Sequence, residues 1–270
     1  MANLVESKID TPVGKISVLR GGAGEPLVYF HSAAGEAVHG ALEDLADDHD
    51  VIVPLFPGFG ESEGIERIDD IEDAAFHLLD VLDALELTAP AVIGLSLGGW
   101  LAAELATRSP ERVGKLVLVS PVGLYLDGAP VGQIFGRSPA ELAQDLFADQ
   151  THPMAQMMHA LSSKMGDLMS MSELPIAILL PMWSSMSATA KIGWNPYLHN
   201  PKLRSRLRRV SAPTLVVAGE RDGLLPLAHP EAYASGIAGA RLEVLAGAGH
   251  MAPLERPAEF SALVRSFLAG

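Results

Sequence analysis

Cysteine is absent from this 270-residue chain. That excludes disulfides, thiolate metal sites and cysteine nucleophiles, and it fits a reducing compartment. Basic residues are scarce, 19 Lys and Arg against 33 Asp and Glu, for a formal net charge of −14. A surface of that sign repels phosphate backbones, so nucleic acid is not an expected partner. Long apolar runs are missing too: the most apolar stretch, 174–183, contains Pro175 and Pro181 and is too short to cross a bilayer. The opening residues, MANLVESKID, have no apolar signal-peptide region. A cytoplasmic protein without a membrane partner is the expectation; homo-oligomerisation is left open. Hydrophobic content of 49% with 19% charged residues describes a globular chain.

What is present is an alternation of apolar strands and amphipathic helices. Residues 4–9 and 15–20, around Pro12-Val13-Gly14, read as an edge hairpin. Strands are expected at 27–30, 51–56, 91–95, 115–120, 213–219 and 241–245, and helices at 69–87, 99–108, near 230–235 and at 257–268. In the 69–87 helix, Ile71, Ala75, Leu78, Leu82 and Leu85 form the apolar face. Strands that are apolar throughout and alternate with helices predict an α/β fold, a mostly parallel sheet covered by helices on both faces. Between 122 and 209 the rhythm breaks: no strand is legible, and prolines punctuate helical segments. An all-helical cap at 122–209, inserted between core segments 1–121 and 210–270, accounts for this.

Three loops carry chemistry. Gly94-Leu95-Ser96-Leu97-Gly98 joins a strand directly to a helix. Small residues on either side let so sharp a turn close, and its apex serine then stands at a helix N-terminus, where developing negative charge is favoured. A serine hydroxyl needs a base, and the base needs a third group to hold its tautomer. Asp222 follows the 214–218 strand in Gly219-Glu220-Arg221-Asp222-Gly223; His250 follows the 242–245 strand in Ala246-Gly247-Ala248-Gly249-His250. Both fall at carboxyl ends of strands, where open α/β sheets place their sites. Asp127 and Glu220 are rival acids. The remaining histidines, His39, His49, His77, His152, His159, His199 and His229, lack metal-ligand spacing and read as surface or cap residues; no metal is expected.

With the His31-Ser32-Ala33-Ala34-Gly35 loop, Pro57-Gly58-Phe59-Gly60-Glu61-Ser62 and Pro253-Leu254-Glu255-Arg256-Pro257, these motifs make the chain resemble the α/β-hydrolase superfamily, among its serine-nucleophile members with a helical cap. The resemblance implies a Ser96 nucleophile, a His250 base and an Asp222 orienting acid. It also implies an oxyanion hole from the backbone N–H groups of Leu97 and Ala33, and no cofactor. Where the family usually has Gly after the loop histidine, this chain has Ser32. Superfamily dehalogenases and epoxide hydrolases carry aspartate at the apex, so Ser96 argues against those reactions. Serine-dependent carbon–carbon hydrolases of meta-cleavage products typically have a glycine-rich loop and an aromatic residue after the histidine. Here those positions hold Ser32-Ala33-Ala34 and Met251.

Eight of the ten methionines lie in 122–209, an adaptable apolar wall. Pocket walls are therefore expected from Met158, Trp183 and Met186 in the cap, with His31, Ser32, Ala34 and Met251 below. The basic run 202–209 reads as a solvated helix face where the cap rejoins the core. Together these features predict a carboxylesterase or lactonase acting on a small to medium apolar ester. A meta-cleavage carbon–carbon hydrolase and a cofactor-free perhydrolase are enzyme alternatives; a ligand receptor on the same fold is the alternative of another class.

Overall fold

A computed structural model describes residues 4–35, 39–165 and 176–270. Its centre is one eight-stranded sheet: β1 (Val5–Thr11), β2 (Gly14–Gly21), β3 (Glu25–Phe30), β4 (His49–Pro54), β5 (Ala91–Leu95), β6 (Lys115–Val119), β7 (Thr214–Gly219) and β8 (Arg241–Leu245). The order is β1-β2-β4-β3-β5-β6-β7-β8. The first three strands in that order pair antiparallel and all the rest parallel. The expected hairpin is thus the antiparallel edge. Strands β3 to β7 are buried almost throughout on both faces (Leu27, Val28, Ile52, Val92, Ile93, Leu116 and Val216 are each 0% exposed), which is why they read as continuous apolar runs.

From β3 the chain moves to β4 on one side and then to β5 on the other. Right-handed crossovers in opposite directions put their helices on opposite faces. Accordingly Gly40–Leu45 packs against the last helix, Pro257–Ala269, and Ile71–Ala84 against Leu97–Arg108. The gap between the carboxyl ends of β3 and β5 is the topological switch point where ligands enter such sheets.

Several elements differ from expectation. The Gly40–Leu45 helix was not legible: it is short and entered through His39, which makes no side-chain cap. The Ile71–Ala84 helix starts at an Asp70 cap that accepts from the N–H of Glu72 and Asp73. Its buried face holds Ala74, Ala75, His77, Leu78, Val81 and Leu82, leaving Ile71 and Leu85 only half-buried. His77 and His229, read as surface or cap residues, are 2% and 1% exposed. His77 stands edge-on to Phe56, and burial pushes its pKa down to about 4, so it is neutral. His229 reaches Ala129 O through Nε2 at 2.7 Å.

Between β6 and β7 the described residues contribute no strand to the sheet. Helices Pro139–Leu146, Pro153–Met165 and Ile176–Gly193 stand there, the last running through Pro181 rather than ending at it. The basic run forms Leu203–Arg206 and the turn Leu207–Arg209. Leu203 and Leu207 are fully buried and pack against Leu97–Arg108 and Ala228–Gly236, so this segment is part of the core's helical layer.

Candidate active site

Ser96 sits between β5 and the Leu97–Arg108 helix with φ 54° and ψ −108°, a region that strains any residue with a side chain. Its neighbours impose that conformation. Ser96 N–H donates to Val119 O at 2.8 Å, and Ser96 O accepts from Trp100 N–H at 3.1 Å and Val122 N–H at 3.3 Å. The flanking glycines answer to close packing: a Cβ on Gly98 would lie 2.0 Å from Phe30 O, and one on Gly94 2.3 Å from Gly98 O. Both would overlap backbone, which cannot give way. Ser96 is 6% exposed, and among the described residues its Oγ has no hydrogen-bond partner. Leu97 opens the helix, so its N–H has no intrahelical acceptor and lies at the positive end of the dipole.

Phe30 pairs with Gly94, so the loop leaving β3 emerges beside the Ser96 turn. In that loop Ser32 O accepts from Gly35 N–H at 3.0 Å and Ser32 Oγ from Ala34 N–H at 3.0 Å. The serine standing where the family has glycine thus closes the turn, and it occupies the Ala34 amide. The Ala33 N–H has no acceptor among the described residues. His31 acts behind this loop. The Phe56 N–H donates to its Nε2 at 3.0 Å, which leaves the proton on Nδ1, and Nδ1–H donates to Ser32 O at 2.8 Å. The ring, 3% exposed and 4.5 Å from that of Phe59, is a strut between two loops. It also borders a cavity of about 10 Å³ shared with His77 and Leu101.

Asp222 and His250 meet, although 28 residues separate them. Asp222 Oδ2 is 2.8 Å from His250 Nδ1, while Oδ1 accepts from the N–H groups of Leu224 (2.9 Å) and Leu225 (2.7 Å). The carboxylate is held by three donors and nearly buried, its side chain 5% exposed. Facing it, Nδ1 carries the proton, so Nε2 offers a lone pair. Nε2 is buried and has no hydrogen-bond partner among the described residues, so no bond joins it to Ser96 Oγ in this structure. The two loops are pressed together by glycines: a Cβ on Gly219 would lie 2.0 Å from Gly249 O. Of the rival acids, Glu220 accepts from Gly247 N–H at the exposed flank of these loops, and Asp127 is exposed. Neither meets the imidazole. Ser96, the Ala33 loop, Asp222 and His250 all lie at the carboxyl-terminal edge of one sheet.

The cap touches this edge at defined points. Gly223 N–H donates to Asp145 O at 3.0 Å and Met251 N–H to Leu146 O at 3.1 Å, tying the end of Pro139–Leu146 to both loops. Ser184 Oγ donates to Gly58 O at 2.6 Å, and Gly35 and Gly58 lie against Ser185 and Ala188. The Ile176–Gly193 helix therefore turns Ser184, Ser185 and Ala188 toward the core. Helical spacing places Trp183 off that face, together with Ile176 and Leu180, and it is 55% exposed. Met186 and Met158 are half-buried, Ala34 is exposed, and Met251 is 3% exposed. Met169 and Met171 lie outside the described residues. An open depression of about 540 Å³ beside Ile65, Lys191 and Trp194 contains none of these side chains.

Two buried acids escaped the sequence reading. Glu104, 0% exposed, accepts from Trp100 Nε1–H at 3.1 Å and Asn200 Nδ2–H at 2.7 Å and pairs with Arg108. It binds the Leu97–Arg108 helix to the segment that returns toward β7. Glu255 ties the His250 loop to the cap through two backbone amides. A lone acid inside the apolar run Trp100-Leu101-Ala102-Ala103-Glu104-Leu105-Ala106 was the available signal for the first. Among the described residues no group of three or more His, Asp or Glu could hold a metal ion, and no helix is long and apolar enough to cross a membrane.

A profile of the alpha/beta hydrolase fold matches residues 25–257; the chain belongs to that family. Its relatives include a 2-hydroxymuconate semialdehyde hydrolase of a Pseudomonas species, 30% identical over 92% of this chain and 88% of that protein. Another is the dihydrolipoyllysine-residue acetyltransferase component of the acetoin cleaving system of Cupriavidus necator, 28% identical over 93% of this chain. The chain spans 65% of that protein's length. Among solved structures, naproxen esterase from Bacillus subtilis superposes with a TM-score of 0.73 at 23% identity, over 99% of this chain and 92% of that one, a likeness of fold.

Proposed function

We propose that this chain is a serine hydrolase that forms an acyl-enzyme on Ser96 from a small to medium apolar ester or lactone. The observation that carries the reading is the Asp222–His250 pair, with Nε2 buried and unpartnered at the sheet edge that also presents the strained Ser96. Ser96 Oγ attacks the carbonyl carbon while Nε2 takes its proton, and the imidazolium then protonates the leaving alkoxide. The N–H groups of Leu97 and Ala33 receive the oxyanion, each such donor contributing about 3–4 kcal/mol in the transition state. Water repeats the sequence on the acyl-enzyme. Asp222, held by three donors, keeps the tautomer and stabilises the imidazolium without taking the proton.

A second reading, hydrolysis of a carbon–carbon bond beside a carbonyl, draws support from the relative that acts on 2-hydroxymuconate semialdehyde. There the same acylation would expel a carbon fragment that takes its proton from the imidazole. The ester reading is preferred because the loop after β3 uses Ser32 to close its turn, and because buried Met251 stands where those hydrolases typically carry an aromatic ring.

Reaction with a fluorophosphonate and with an activated aryl ester tests the common step. Stoichiometric labelling of the wild type, abolished together with turnover in Ser96→Ala, is the expected result; turnover retained by that variant would overturn the assignment. Relative kcat/KM for the aryl ester and for 2-hydroxymuconate semialdehyde then separates the two readings.

A further inference from the structure

Glu255 lies five residues beyond the proposed base in a short helix, Ala252–Glu255, and is 9% exposed. Its two carboxylate oxygens accept from two backbone amides that belong to different parts of the molecule. Oε2 receives Gly249 N–H at 2.6 Å, and Oε1 receives Asp149 N–H at 2.7 Å. The first amide immediately precedes His250; the second lies just past the first cap helix. Space around the junction is fully used, because a Cβ on Gly249 would stand 2.7 Å from both Ala148 N and Leu146 O. The remaining ties across it, Met251 N–H to Leu146 O and Gly223 N–H to Asp145 O, run between backbone atoms. Among the described residues, Glu255 is the side chain that bridges this junction.

We propose that Glu255 is a positioning residue for His250. Its carboxylate holds the peptide before the base at a fixed height relative to the cap, and so sets where Nε2 stands. Charge-assisted bonds to two amides are short and directional. A base displaced by a fraction of an ångström transfers protons far less well, because acylation depends on near-attack geometry. Glutamine cannot replace the acid, since its NH2 group would turn a donor toward one of two donors. Aspartate keeps the charge but is one methylene too short to span both amides.

The inference rests on the reading of His250 as base, and the experiment separates the two. Glu255→Gln and Glu255→Asp are compared with wild type, Ser96→Ala and Glu220→Gln. The last removes only the charge from a side chain that accepts from Gly247 N–H on the exposed flank of the same loop. Steady-state kinetics on an aryl ester are measured well below each variant's melting temperature, alongside the downfield proton resonance of His250 Nδ1–H. Both Glu255 variants are expected to lose about 10- to 100-fold in kcat, with KM within about twofold and the resonance shifted. Glu220→Gln is expected to match wild type. Wild-type kcat in a folded Glu255→Gln, or a loss in both variants that follows only the fraction unfolded, overturns the proposal. Activity in Ser96→Ala would instead overturn the functional reading beneath it.

Discussion

Asp222 accepts from three donors, two on Oδ1 and His250 on Oδ2, and that makes its replacement by asparagine informative. Oδ1 can remain an acceptor for Leu224 and Leu225, but the amide NH2 would then face His250 Nδ1. The ring must take the other tautomer, with its proton on Nε2 where the base needs a lone pair. Asp222→Asn is therefore expected to fold with a near-normal melting temperature and to lose about 10⁴-fold in kcat on an aryl ester. Gly98 gives the opposite pattern. A methyl group there would meet Phe30 O at 2.0 Å, so Gly98→Ala should lower stability in urea by at least about 3 kcal/mol. Both residues stand in motifs legible in the sequence. The reason for each is a contact with a residue far along the chain.

At the scale of an element, the helix Ile71–Ala84 shows how far periodicity reaches. An apolar stripe announced the helix, but the same face also carries His77, which no hydropathy pattern marks as buried. His77 and His39 are both pushed down to about 4 by desolvation, below an unfolded value near 6.5. The folded state therefore binds fewer protons than the unfolded state between those values, and stability falls as pH drops through that window. Each is expected to cost about 2 kcal/mol between pH 7.5 and pH 5. Urea midpoints across that range check the sign, and His77→Phe should flatten part of the slope. The cap helix Ile176–Gly193 gives the converse lesson. Apolarity alone suggested Trp183 for a pocket wall, whereas the contacts with the core come from Ser184, Ser185, Ala188 and Lys191 among others. Nearly every position of that helix reads as apolar or small, so sequence could not say which side faces inward.

Across the whole molecule, the helical segment between β6 and β7 is tied to the core at its base as well as at the loops beside the site. Gly123 N–H donates to Leu198 O, and Asn200 N–H to Gly123 O, each at 2.9 Å, so outgoing and returning stems are zipped together. Glu104 then fastens Asn200 to the Leu97–Arg108 helix. Removing the carboxylate would strand Arg108, Trp100 Nε1–H and Asn200 without their shared acceptor. Glu104→Ala is expected to cost about 3–5 kcal/mol, read from chemical denaturation. The amino-acid sequence by itself determined the alternation of strands and helices, the interruption by a cap, and the order Ser96, Asp222, His250. Each of these is written in local periodicity and turn chemistry. Only the tertiary structure decided that His77 is a neutral core residue, that Trp183 stands off the helix face turned to the core, and that Glu104 and Glu255 tie cap to core. A pattern along one element shows which face is apolar; which partner covers that face, and which polar atom finds its donor there, depends on segments a hundred residues away.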